Sequence, residues 1–133
     1  MMALRATALA LVLAATLVGP AAAAAPTAVS VTIVGPNHAP KIVTKWHYTV
    51  RVTSGGKPVP AKLTEKIVDP LGGTHGVQYG PTKKYIVGWP IKGTFRDYII
   101  WPADSRGIPL KLRAIVTVGG AKHVAEFAVT PHA

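Results

Sequence analysis

Leu110 to Val118 and Lys122 to Thr130 each alternate apolar and polar residues at a period of two, and Gly119-Gly120 stands between them. That arrangement leaves little choice of fold. Successive side chains of an extended chain point to opposite faces, so the first segment places Leu110, Leu112, Ala114, Val116 and Val118 on one side. The second places Ala125, Phe127 and Val129 on its core side. Two glycines accept the positive φ angles of a primed turn, which joins adjacent antiparallel strands and fixes their register. Residues 110–130 are therefore predicted to be a hairpin with one buried face.

The same pattern recurs upstream. Val29 to Val34 and Trp46 to Val52 alternate, the latter with Trp46, Tyr48, Val50 and Val52 on one face. Ala61 to Val68 repeats it, with Leu63 and Ile67 inward and Lys62, Thr64 and Lys66 outward. Further strands are expected at Val77-Gln78-Tyr79, Lys84 to Trp89 and Phe95 to Trp101. Turn chemistry separates them: Ser54-Gly55-Gly56-Lys57-Pro58, Asp69-Pro70-Leu71-Gly72-Gly73, Gly80-Pro81 and Ser105-Arg106-Gly107. Pro90 and Pro102 each follow a tryptophan and are expected to end a strand, since proline cannot donate to a ladder. No segment shows helical periodicity. The expectation is an all-β sandwich of about seven strands in two antiparallel sheets.

The first residues read differently. Met1 to Arg5 give a positive start, Ala6 to Val18 a thirteen-residue apolar run, Gly19-Pro20 a break, and Ala21 to Ala25 a small-residue run. This is the order of a secretory signal peptide. A membrane-spanning helix needs about 20 apolar residues, more than this run supplies. Ala22-Ala23-Ala24 fits the cleavage pattern, so residues 1–24 are expected to be the leader and 25–133 the mature domain. Cleavage after Ala25 is the alternative, though it would place Pro26 at the cut. The product is expected to be extracytoplasmic, secreted or associated with the cell envelope. The chain has no cysteine, which excludes disulfides, thiolate metal clusters and lipid attachment at an N-terminal cysteine.

Tyr48-Thr49-Val50-Arg51-Val52, followed by Gly55-Gly56-Lys57-Pro58-Val59-Pro60-Ala61-Lys62-Leu63, resembles the strand–turn–strand of bacterial immunoglobulin-like domains. Gly93-Thr94-Phe95-Arg96-Asp97-Tyr98 resembles a later strand of the same domains. The mature region is similar to small exported immunoglobulin-like proteins of high-GC bacteria. The resemblance implies an immunoglobulin-like sandwich. It implies no activity, because sandwich folds host many unrelated functions.

Residues that could carry chemistry are few. The five carboxylates, Glu65, Asp69, Asp97, Asp104 and Glu126, are scattered, with no pair spaced for glycosidase work. Asp97, next to Arg96, is expected to pair with a cation, and Asp69 to form a turn. No nucleophile elbow occurs, so no catalytic residue is assigned and no cofactor is expected. His75, in Gly73-Thr74-His75-Gly76, is the candidate for an alternative role in binding a metal or small ligand. Soft metal sites favour sulfur donors, and both methionines lie at the start of the leader.

Charge gives the stronger lead. Lys and Arg number 15 against 5 acidic residues, and only Arg5 lies in the leader, which leaves the mature domain at a net +9. Such a surface attracts anionic partners, here cell-envelope polymers or headgroups. Nucleic acid is disfavoured because most aromatics occupy core-type positions. If the strands at 61–68, 110–118 and 122–130 share a sheet, Lys62, Lys66, Lys111 and Arg113 fall on its solvent face. A non-catalytic module making weak, charge-assisted contacts is the function expected.

Overall fold

Two antiparallel sheets, nine strands in all, account for nearly all the regular structure of the computed structural model, which describes residues 28–133. The expected leader and the expected cleavage site at Ala24 lie outside those residues. In the first sheet β2 (Lys45–Ser54) is central, flanked by β1 (Val29–Val34) and β7 (Thr94–Ile100), with the two-residue β3 (Lys57–Pro58) at its end. In the second, β4 (Pro60–Val68) pairs along its length with β8 (Leu110–Val118), and β8 pairs with β9 (Ala121–Val129). The other side of β4 carries two short strands, β5 (Thr74–Gly76) and β6 (Trp89–Lys92). Among the described residues no helix is long and apolar enough to cross a membrane.

The alternation seen in the sequence becomes the core. Trp46, Tyr48, Val50 and Val52 all point inward from β2 and are buried. They meet Leu63 from β4 and Leu112, Ala114 and Val116 from β8, all fully buried. Each buried Val or Leu side chain contributes about 1.5–3 kcal/mol by leaving water, so packing between the two sheets holds the fold without a disulfide. Aromatics fill both ends. Trp46 contacts Trp101 and Phe127 at one end, and Tyr79, Trp89 and Phe95 cluster at the other. Gly119 and Gly120 take φ of 55° and 81°, which closes the β8–β9 hairpin as a two-residue turn with Val118 opposite Ala121.

Two expectations change. The segments at 77–79 and 84–89 form an irregular hairpin joined by one bridge, Gln78 to Tyr85, instead of two strands. Regular pairing sits on either side of it, in β5 and β6, because β4 offers its free edge at both ends. Pro90 lies inside β6 and does not end it, which an edge strand tolerates. Glu65, left unplaced by the sequence reading, is inward together with Leu63 and is fully buried.

On the β1–β9 side a strap ties distant parts of the chain together. Thr130 N–H donates to the His38 carbonyl at 2.8 Å and His132 N–H to the Pro40 carbonyl at 2.9 Å. Ile42 N–H returns a bond to the His132 carbonyl at 2.8 Å. The His38 ring stacks on Phe127 at 4.1 Å, and its Nδ1 lies 2.6 Å from the Ala128 carbonyl oxygen.

Candidate functional site

Register decides which cations share a face. Opposed residues of an antiparallel pair project to the same side, so one side of the second sheet can be assigned row by row. Lys62 opposes Thr117, which opposes Lys122. The next row is Thr64, Ile115 and Val124, and the third is Lys66, Arg113 and Glu126. Val68, Lys111 and Ala128 form the fourth, and Lys92, opposite Pro60, extends the face at its far end. Lys62, Lys66, Lys111 and Arg113 are thus brought onto one solvent face, together with Lys92 and Lys122. They do not form a continuous stripe. Lys66, Arg113 and Lys111 make one group and Lys62 with Lys122 another, with the Thr64 row between. Lys62 and Lys66 stand about 13 Å apart along β4, at ~3.3 Å per residue.

Lys66 directly opposite Arg113 is a like-charge pair, which costs stability. Arg113 Nε donates to Glu126 Oε2 at 3.1 Å on the other side, which offsets part of that cost. Glu126 is the one carboxylate in these rows. The face is therefore strongly positive and largely unneutralised.

One component of this face was invisible in the sequence. Gly76 is the register partner of Lys66. A Cβ at Gly76 would sit 2.8 Å from two carbons of the Tyr85 ring. The ring thus fills the place of the missing side chain, beside Lys66, and Tyr85 remains 60% exposed. An aromatic folded over a cross-strand glycine depends on the irregular hairpin, which periodicity did not reveal.

The opposite side of β4 holds a different set of charges. Tyr48 of β2 is the register partner of Asp97 of β7, and Glu65 reaches the same hydroxyl from the other sheet. Tyr48 Oη donates to Glu65 Oε2 at 2.5 Å and lies 3.4 Å from Asp97 Oδ2, while Gly80 N–H donates to Asp97 Oδ1 at 3.0 Å. Glu65 is fully buried, Asp97 is 6% exposed, and Glu65 Oε1 has no hydrogen-bond partner among the described residues. One hydroxyl proton cannot serve two carboxylates, so the cluster is satisfied only when a carboxyl keeps its own proton. Burial pushes the Glu65 carboxyl up to about 8, the Tyr48 bond opposes the shift, and the Asp97 charge adds to it. Asp97 is raised by its own burial, against bonds from backbone N–H groups and Tyr48. Burial, with the two carboxylates, pushes the Tyr48 phenol far above its usual range. The expected Asp97 ion pair is therefore corrected: Asp97 faces inward with Phe95 and takes a tyrosine and a backbone amide in place of a cation. A period-two signal was present for both carboxylates, since Glu65 lies between Leu63 and Ile67 and Asp97 between Phe95 and Ile99.

His75 lies at the rim of a cleft of about 830 Å³ whose walls include Ile67, Tyr98, Trp101, Ile108 and Leu110. Its Nε2 is 2.9 Å from Asp69 Oδ2. Asp69 Oδ1 accepts Leu71 and Gly73 N–H at 2.9 Å each, the turn role expected of it. The His75 bond, helped by those amides, holds the Asp69 carboxyl below its usual range. Among the described residues no three His, Asp or Glu side chains converge as a metal set.

No protein-family model and no curated protein matches the chain. Among solved structures, similarity is found to a DUF4466 family protein from Parabacteroides merdae, at 15% identity and a TM-score of 0.44. The match covers 80% of this chain and 44% of that one. Spo0M, a sporulation control protein from Bacillus subtilis, is similar at 14% identity and a TM-score of 0.42, over 80% of this chain and 50% of its own. The chain thus spans about half the length of either.

Proposed function

We propose that the protein is an exported, non-catalytic immunoglobulin-like module that holds to anionic cell-envelope polymers through the outer face of its second sheet. One observation carries this reading: six cations, Lys62, Lys66, Lys92, Lys111, Arg113 and Lys122, share that face with a single carboxylate, Glu126. A cation at an anionic surface contributes about 1 kcal/mol. With Arg113 and Glu126 offsetting each other, the remaining five supply ~5 kcal/mol, a dissociation constant of roughly a few hundred micromolar. That is enough to concentrate a protein at an envelope without specific recognition. The immunoglobulin-like part of the proposal rests on the Gly55–Val59 stretch, which leads from β2 in one sheet to β4 in the other.

The test is retention of the purified protein on a cell-wall fraction over a salt series. Retention should fall steeply with salt, and replacing Lys62, Lys66, Lys111 and Arg113 with glutamine should abolish it while the melting temperature holds. Salt-insensitive retention would overturn the reading. The cleft beside His75 favours a second one, binding of a small ligand or metal. A melting temperature unmoved by zinc or copper would count against the metal form, because a ligand of the native state must stabilise it.

A further inference from the structure

We infer that the anionic polymer is an acidic polysaccharide, with Tyr85 stacking on a sugar ring while Lys66 and Arg113 take its carboxylates; this rests on the face reading above. Tyr85 is seated: the Cδ1–Cε1 edge of its ring occupies the place a Cβ at Gly76 would take, and the residue is 60% exposed. A ring held this way is a platform whose ordering cost is already met in the free protein. The aromatic face is electronegative, which suits the polarised C–H groups on the flat side of a pyranose. Carboxylates at the edge of that sugar would then lie over Lys66, the register partner of Gly76, and Arg113, the next residue in the row. Arg113 commits its Nε to Glu126, and its two terminal nitrogens remain to meet a carboxylate as a fork.

The alternatives fit the same face less well. A membrane-surface element buries an apolar face about 5–10 Å into the lipid boundary. Here the apolar side chains, Ile115 and Val124 with the exposed Val87 near Thr64, are short and lie between longer lysines. Single-stranded nucleic acid is held by several stacking aromatics interleaved with cations, whereas these rows have one ring beside them.

Binding of the full chain to polygalacturonate, to polyphosphate and to phosphatidylglycerol vesicles separates these ligands, with single-stranded DNA as a fourth probe. Wild type should prefer polygalacturonate. Tyr85→Ala should weaken that binding about tenfold and polyphosphate binding less than twofold. Tyr85→Phe should stay within twofold of wild type on both. Tyr85→Leu, which keeps an apolar cover over Gly76 without a ring, should behave like the alanine variant. Lys66→Gln with Arg113→Gln should weaken both polymers. Unchanged polygalacturonate binding in Tyr85→Leu, or an equal loss on both polymers, overturns the sugar assignment and leaves the charged face standing. Tighter binding to vesicles or DNA than to polygalacturonate also overturns it. Absence of salt-dependent binding to all four probes removes the parent reading as well.

Discussion

The two faces of β4 place opposite charges a few ångströms apart and treat them in opposite ways. Outward, Lys62 is exposed and Lys66 half-buried, and neither has a carboxylate partner among the described residues. Inward, Glu65 sits between them in sequence yet is sealed in the core against Tyr48 and Asp97. A single pleat separates them, and the lysines give the carboxylate no relief. Solvent lets the outer groups keep their charge cheaply, whereas burial favours the neutral form of the inner group. Charge on this strand is thus assigned by parity of position more than by neighbours in sequence.

The largest break in that contrast should come from pH. Glu65 has an ordinary value of 4.5 and is raised to about 8 in the fold. Below 4.5 both folded and unfolded chains hold the proton, and the group's contribution is fully present. Between 4.5 and about 8 only the folded chain holds it, so stability falls by up to ~1.4 kcal/mol per pH unit. Asp97, raised in the same direction, adds loss of the same sign. Denaturant midpoints measured from pH 5 to pH 9 should therefore decline, with the total on the order of 3–5 kcal/mol. Glu65→Gln, which cannot ionise, should flatten most of that slope, and an unchanged slope would contradict the assignment.

Tyr48→Phe should come next, because it removes the donor both carboxylates share. A buried polar group left without its partner costs ~1–3 kcal/mol, read as a lowered urea midpoint at neutral pH. On the outer face the effects on stability should be far smaller. Lys62→Gln should move unfolding by no more than about 0.5 kcal/mol, yet reduce the salt dependence of retention. Glu126→Gln should also cost little stability, since an exposed Arg–Glu pair is worth ~0.2–1 kcal/mol. It should raise retention on anionic wall fractions by freeing Arg113, and weaker retention would show that Glu126 orients the guanidinium for binding.

The sequence disclosed the architecture where each residue's environment followed from alternation. Leu110–Val118 appears as a strand with the expected ends, and Gly119-Gly120 as the expected turn. The shared sheet of β4, β8 and β9, on which the four-cation grouping depended, is present. Alternation also pointed Glu65 and Asp97 inward, but carboxylates are ordinarily surface groups and the pattern alone named no partner for them. Their partner, Tyr48, comes from a strand 17 residues before Glu65 and 49 before Asp97. Between Gly76 and Trp89 local signals failed, because that stretch takes its shape from the edge of β4 and the ring of Tyr85. Nothing in a window of neighbouring residues encodes a tyrosine lying over a glycine nine positions away.

The strap at Thr130–His132 has a consequence in time. Residues 38–42 emerge early in synthesis, yet their backbone partners and the Phe127 ring under His38 arrive some ninety residues later. Until then β1 has no closed edge to lean on, and β8 lacks β9. Contacts this distant in sequence slow folding, and these can form only once the last few residues are present. The last residues made are thus the ones that lock the segment between β1 and β2 in place.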